Sequence, residues 1–373
     1  MLKLIKWAVF LLIILIVVGS INDSKDDPIS NQAEVTVSEI IVNGEDVTTG
    51  LADPSIEYGA DSTGWMAYSH MNTIKNHLYV ETHLARSDNS GDTWEYVTDL
   101  NETKNDEAKQ GIWKNETSSL VFDPGDIPSR QWKIFYATWF LPYEKVNGNL
   151  TFEHSSVRYK TAGSPDGVWS EEVCLFGNKD EGCQQEFSEL DPSLENMVLM
   201  NELGSIAVKG TLYMSADVSP SNTGLGTIDE IKARKIVLLS SKDHGITWRF
   251  VNTLTDFDDA SSLNYFVFTA SSLVEKDGVQ FLMFTPSGAM NKKDKNHDGV
   301  YVVEFEDISK GLLKRDKGGK PLFSEILGEF IENGGLADYH EKNTAGGVVG
   351  SNFYVEGLFK LKSRLFSTQK GID

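Results

Sequence analysis

Ser87-Asp88-Asn89-Ser90-Gly91-Asp92-Thr93-Trp94 and Ser241-Lys242-Asp243-His244-Gly245-Ile246-Thr247-Trp248 are one turn written twice, about 150 residues apart. Both fit S-x-(D/N)-x-G-x-T-W. Each follows a run with strand character, ETHLARS or KIVLLSS, and enters a second, WEYV or WRFV. Such a string caps itself. The Asn or Asp side chain accepts hydrogen bonds from the turn's own backbone, Gly supplies a positive φ, and Trp anchors the hairpin on the sheet beneath. Ser164-Pro165-Asp166-Gly167-Val168-Trp169 reads as a shortened version of the same turn.

Around these turns the chain is strand-rich, and no long segment has a helical apolar period. Five short segments align as internal repeats: Ala52–Glu57, Glu116–Val121, Glu202–Ala207, Thr269–Val274 and Thr344–Val349. Each has small residues followed by a β-branched or Leu pair. Most lead into a very apolar strand, as in GWMAYS, WKIFYATWF, TLYMSADV and VQFLMFTP. Small residues suit strands crowded about a common axis, and bulky ones suit the strands that fill the space between sheets.

The turns resemble the Asp-box of sialidases and related β-propellers. The resemblance implies an all-β propeller in which these turns lie away from the active face. The repeats predict five blades. Six are the alternative, with a further blade hidden in 172–200 or 308–340, and a β-sandwich is the competing fold. The last repeat is too short for four strands, and the N-terminal EVTVSEIIV is expected to complete it and remove an open edge. The domain reading is 1–20 as a signal peptide or membrane anchor, 21–34 as a polar linker and 35–373 as one propeller.

The N-terminal segment carries Lys3 and Lys6 before an apolar run from Trp7 to Val18, which fits a secretory signal or an uncleaved anchor. The body is therefore expected outside the cytoplasm: secreted, periplasmic or on the cell surface. Any membrane contact would run through that segment. A net charge of -21 disfavours nucleic acid and anionic membranes as partners. The two cysteines, Cys174 and Cys183, bracket a short polar loop and are expected to form a disulfide. A monomer is expected.

In a propeller the innermost strands begin at the ligand face, and second-to-third strand loops reach the same face. That rule gathers Asp53, Glu116 and Glu202 around one axial pocket. It adds His70, Trp139, Tyr143, Arg158, Asp217, Arg234, His340 and Glu341 as substrate-binding candidates. Converging carboxylates supply the acid and the base or nucleophile of glycoside hydrolysis. Aromatic residues such as Trp139 and Tyr143 can stack on sugar faces.

The pattern also resembles the five-bladed glycosidases that include arabinanases, xylosidases and invertases. That resemblance implies Asp53 as base or nucleophile, Glu202 as acid and Glu116 as a supporting acidic residue. Glu202 stands in Asn-Glu-Leu-Gly where that family has Glu-Gly-Pro, and the family has Asp at the place of Glu116. The Arg-Ile-Pro motif of sialidases is absent.

Asp294-Lys295-Asn296-His297-Asp298-Gly299 matches the first half of a calcium loop, with Asp294, Asn296 and Asp298 as ligands of a Ca2+ cofactor. The alternative is a polar turn. Several sequons, among them those that begin at Asn101, Asn115 and Asn149, matter only in a eukaryotic secretory host. The leading functional expectation is an extracytoplasmic glycoside hydrolase acting on a polysaccharide or glycan. The alternatives are a non-catalytic glycan- or protein-binding propeller and a sialidase-type exo-glycosidase.

Overall fold

Ile236-Val237-Leu238-Leu239 is apolar at every position, so both faces of the strand it forms must be covered. The computed structural model describes residues 37–46, 50–74, 77–144, 151–222, 226–290, 297–327, 334–356, 360–368 and 371–372. It meets that demand by setting antiparallel meanders side by side. Meander I comprises Gly50–Tyr58, Gly64–Ile74, His77–Ser87 and Trp94–Asn101. Meander II comprises Gly111–Phe122, Trp132–Pro142, Glu153–Ala162 and Val173–Phe176. Meander III comprises Leu199–Val208, Thr211–Ser219, Lys235–Ser241 and Arg249–Thr255. Meander IV comprises Tyr265–Lys276, Val279–Ala289, Val300–Asp307 and Ser324–Leu327. Meander V comprises Gly334–Tyr339, Val348–Glu356 and Lys360–Thr368. Val37–Glu39 completes meander V, with Val37 opposite Thr368 and Glu39 opposite Phe366.

Apolar clusters lie between neighbouring meanders. Phe135, Met214, Leu239 and Trp248 pack between II and III. Leu238, Phe268 and Phe284 pack between III and IV, and Met283, Val302 and Phe366 between IV and V. Met66, Tyr68, Val349 and Leu365 join V to I, and Trp65, Leu84, Trp132 and Ile134 join I to II. Period-2 alternation sends successive side chains to opposite neighbours. Each fully buried large apolar side chain contributes about 1.5–3 kcal/mol.

The first strands of the meanders are also linked in a closed cycle. Ser55 Oγ accepts from Leu120 N at 3.0 Å, and Ser119 Oγ from Ser205 N at 2.8 Å. Ser271 Oγ donates to the Glu202 carbonyl at 3.1 Å, and Ser272 Oγ to the Ala337 carbonyl at 2.7 Å. Ile56 N donates to Asp338 Oδ2 at 2.8 Å and returns the cycle to meander I. Small side chains are required here. A Cβ on Gly204 would stand 2.7 Å from Leu273 N and 2.8 Å from the Ser272 carbonyl carbon.

The two repeated turns have matching hydrogen bonds. Thr93 N donates to Asn89 Oδ1 at 3.0 Å and Gly91 N to Ser87 Oγ at 3.0 Å. Thr247 N donates to Asp243 Oδ1 at 2.9 Å and Gly245 N to Ser241 Oγ at 2.8 Å. Gly91 and Gly245 both have φ 89°. Each turn clasps the preceding meander: Ala345 N donates to the Ser90 carbonyl, and His244 Nδ1 lies 2.8 Å from Asp123 Oδ2. Ala345 and Asp123 follow the ends of inner strands, so the turns sit at the end of the axis where those strands finish.

Two sequence expectations change. The innermost strand of meander V is Gly334–Tyr339, and Thr344 lies in the loop after it. In the third repeat the register moves back by one, so that Asn201, not Glu202, corresponds to Ala52. Residues 172–200 form the last strand of meander II and three short helical turns. Residues 308–327 supply outer strands to meander IV. No helix among the described residues is long and apolar enough to cross a membrane. The 1–20 signal and the 21–34 linker lie outside the described residues. Cys174 and Cys183 are joined by a disulfide.

Candidate active site

Each innermost strand has an extra residue at the same place. Pairing with the second strand runs to Ala52↔Ser69 and resumes at Ser55↔Ala67 in meander I. The same skip separates Glu116 from Ser119, Asn201 from Gly204, Thr269 from Ser272 and Gly334 from Ala337. The bulged residues Asp53, Thr117, Glu202 and Ala270 have φ of 48°, 49°, 52° and 51°. Left-handed backbone costs a side-chain-bearing residue roughly 1 kcal/mol or more, and bulges re-aim side chains beside active sites. Here the bulge presents Asp53 from meander I and Glu202 from meander III.

Asp53 is held on both sides. Its backbone N donates to Ser351 Oγ at 3.1 Å, and Oδ1 accepts from Leu336 N at 3.2 Å. A Cβ on Gly335 would approach Asp53 Oδ1 to 2.7 Å, so glycine makes room for the carboxylate. Loss of solvent, and then the charge of Glu116, push the Asp53 carboxyl up to about 6. Glu116 lies one residue before the bulge of meander II, with Lys114 Nζ at 3.5 Å.

Glu202 sits in a polar knot. Its N donates to Thr117 Oγ1 at 3.2 Å, and Oε2 accepts from Ala270 N at 2.6 Å and from the Thr269 hydroxyl. Thr269 Oγ1 is also 2.7 Å from Asp217 Oδ2. Arg234 grips Asp217, with Nε 3.0 Å from both carboxylate oxygens, and reaches Thr269 Oγ1 at 3.1 Å. Desolvation first, then the Asp217 charge, raise the Glu202 carboxyl to about 8. Arg234 and the Ala270 N–H oppose that rise, and Asp53 adds to it. Loss of solvent, and then the charge of Arg234, push the half-buried His297 down to about 4, so it stays neutral near pH 7. The site therefore offers a carboxyl held protonated near neutral pH and an ionisable carboxylate whose charge helps to raise it.

Asp217 and Arg234 thus lie with Glu202. The other candidates are engaged with partners of their own. Trp139 is 3% exposed and packed on Phe152 and Leu199. Tyr143 bonds Asn105 and leans on His77. Arg158 pairs with Glu172 on the third strand of meander II. His340 and Glu341 are placed at the opposite end of the axis. They line a cavity of about 230 Å3 with Glu57, Glu275 and Asp338, and His340 Nε2 lies 3.1 Å from Glu57 Oε1. They follow the end of their strand, which is why they miss the Asp53 end. His70 faces meander V beside His83 and Glu45. Asp294 and Asn296 lie outside the described residues, whereas Asp298 is buried and accepts from Tyr265 Oη at 2.6 Å.

Thr117, Ser351, Gly335 and His297 complete the site and were not candidates from sequence, whereas Thr269 opens the fourth of the aligned repeats. Aligning Asn201-Glu202-Leu203-Gly204 with Ala52-Asp53-Pro54-Ser55 would have shown the equivalence of the two acids. Nothing in the sequence signals His297.

No family model matches the chain, and no curated protein matches it. Solved structures do. A family 32 beta-fructofuranosidase from Bombyx mori matches with TM-score 0.54 and 14% identity over 87% of this chain. The match spans 60% of that enzyme's chain. A thermostable family-43 glycoside hydrolase matches with TM-score 0.50 and 12% identity over 88% of this chain and 92% of its own. A family 117 glycoside hydrolase from the marine bacterium Zobellia galactanivorans matches with TM-score 0.50 and 14% identity over 90% of each chain. The fold is the β-propeller of these glycoside hydrolases.

Proposed function

We propose that this protein is an extracytoplasmic glycoside hydrolase acting on a polysaccharide or glycan. The carrying observation is that Asp53 and Glu202 occupy the same bulge of the first and third inner strands, with both carboxyls raised. Glu202 is the general acid that gives its proton to the glycosidic oxygen. Asp53 is the base or nucleophile on the other side of the bond, and Glu116 modulates its charge. Asp217, Arg234 and Thr269 hold the Glu202 carboxyl. The glycoside hydrolases among the similar folds support this reading, as does the crowding of acidic groups at the head of the axis.

In this reading the five meanders are five blades, the repeated turns are Asp-boxes, and residues 35–373 form one monomeric domain that is secreted, periplasmic or on the cell surface. A sialidase-type clamp of three arginines is disfavoured: Arg234 is committed to Asp217, and Arg158 to Glu172. The test is a hydrolysis screen of the full chain on polysaccharides and aryl glycosides, beside Asp53→Asn and Glu202→Gln. Turnover that both substitutions leave intact removes these residues from the proposal.

A further inference from the structure

One face of meander I carries a second cluster of titratable groups, away from Asp53. Tyr68 and His70 lie on its second strand and Glu81 and His83 on its third. Asp99 lies on the fourth, opposite His83. Alternation puts all five on the face that looks toward meander V. The segment after Val42–Asn43, which pairs outside Trp94–Asn101, comes back across this face and brings Glu45 and Asp46 onto it.

The two imidazoles are stacked at 4.3 Å with planes 9° apart, and His70 and His83 are only 7% and 5% exposed. One nitrogen of each points to the returning segment. His83 Nδ1 is 2.9 Å from Glu45 Oε2. His70 Nε2 is 3.9 Å from Glu45 Oε1 and 2.8 Å from the Asp46 carbonyl. Ligand atoms of Glu45, His70 and His83 all fall within 4.8 Å of one another. Donors about 2.0–2.2 Å from one tetrahedral ion stand about 3.3 Å apart, so small side-chain adjustments close this set on a cation.

The other nitrogen of each ring is buried without a hydrogen bond. Both face carboxylates. His70 Nδ1 is 4.0 Å from Glu81 Oε2, and His83 Nε2 is 3.8 Å from Glu81 Oε2 and 3.1 Å from Asp99 Oδ1. A metal-bound imidazole turns its free N–H to a carboxylate in this way, which fixes the tautomer. Three carboxylates share the cluster, and among the described residues no Lys or Arg ion-pairs with Glu45, Glu81 or Asp99. A dication would offset two of their three negative charges. The acidic cluster around Asp123, Asp126 and His244 differs: it already holds the buried Lys133 ammonium, 2.9 Å from Asp126.

We propose that Glu45, His70 and His83 bind a divalent transition-metal ion of the zinc type, with the Asp46 carbonyl as a further donor and Glu81 and Asp99 orienting the two imidazoles. The ion would fasten the segment after Val42–Asn43 to meander I, next to the strand Val37–Glu39 that completes meander V. Its role is structural, and it takes no part in the acid–base chemistry at Asp53 and Glu202.

The test uses the full chain. Metal content is measured after purification and after chelation followed by Zn2+ or Co2+. The expected results are one equivalent per chain, a Co2+ visible spectrum of a nitrogen- and oxygen-ligated ion, and a Tm raised several degrees by Zn2+. Glu45→Gln and the double substitution His70→Gln with His83→Gln should each abolish the spectrum and the Zn2+-dependent Tm rise. Each variant's own metal-free Tm is the reference, so a variant that is merely less stable remains informative. The proposal is overturned if the wild type takes up no equivalent. It is equally overturned if the Co2+ spectrum and Tm response survive in the double variant.

Discussion

Asp53 and Glu202 are the same residue of two repeats: each is the left-handed residue of the bulge that breaks pairing between an innermost strand and its neighbour, at φ 48° and 52°. Blade geometry, rather than sequence proximity, brings them to one site. Both carboxyls are raised by desolvation first, and Glu202 also responds to the charge of Asp53.

That relationship predicts a trade between activity and stability. A carboxyl whose native pKa is raised binds more protons folded than unfolded. Its stabilising share is complete below about pH 4 and lost as pH rises through the native value. For Asp53 the loss spans roughly pH 4 to about 6. Asp53→Asn removes the charge and keeps an acceptor for Leu336 N. Its stability relative to wild type should therefore improve between pH 4 and pH 8, by up to about 3 kcal/mol. Denaturant melts at the two pH values check this, and an unchanged difference contradicts it.

Gly335→Ala should reduce turnover without unfolding the protein. The added Cβ would meet Asp53 Oδ1 at 2.7 Å, and a displaced catalytic carboxylate costs about 10²-fold. The expected signature is a lower kcat with a far-UV circular dichroism spectrum like the wild type.

Gly204→Ala addresses the crowding of the axis. The new side chain would meet the backbone of Ser272 and Leu273, with loss of about 1–3 kcal/mol. Gly210, whose added Cβ meets nothing within 4 Å, is the comparison for steric cost, although its φ of 76° carries a separate backbone strain. Urea midpoints of the two Ala variants would separate the effects: Gly204→Ala should lower the midpoint through contact and Gly210→Ala through φ alone.

Lys133→Met should destabilise by about 3–5 kcal/mol. Its fully buried ammonium lies 2.9 Å from Asp126 and 3.5 Å from Asp123, and removal leaves two buried carboxylates facing each other. Adding Asp126→Asn to Lys133→Met should recover part of the loss. A Tm within 2 °C of wild type for the single variant would contradict this account of the cluster.

The architecture was readable because its signals are local and repeated. Two turns with one hydrogen-bond pattern, and small residues before paired aliphatic ones, mark the meanders without long-range information. Asp53, Glu116 and Glu202 could be named because they stand near the starts of inner strands, the end of the axis where a propeller gathers its ligand groups. The rest depends on register. A slip of one residue hid the equivalence of Glu202 with Asp53, and a slip of one strand put Thr344 where Gly334–Tyr339 belongs and sent His340 to the wrong end. In the Glu45, His70 and His83 cluster it was Glu45 that could not be foreseen: it arrives from a segment that crosses the face of meander I, and no spacing rule anticipates that crossing.

The central claim is that Glu202 is a protonated acid working opposite an ionised Asp53. The pH dependence of kcat/KM on an aryl glycoside with a poor leaving group tests it most directly. The wild type should give a bell, rising near pH 6 with Asp53 and falling near pH 8 with Glu202. Glu202→Gln should erase the alkaline limb and cost about 10²–10⁴-fold, with much of the rate restored by a good leaving group that needs no proton. An alkaline limb that persists unchanged in Glu202→Gln would contradict the claim.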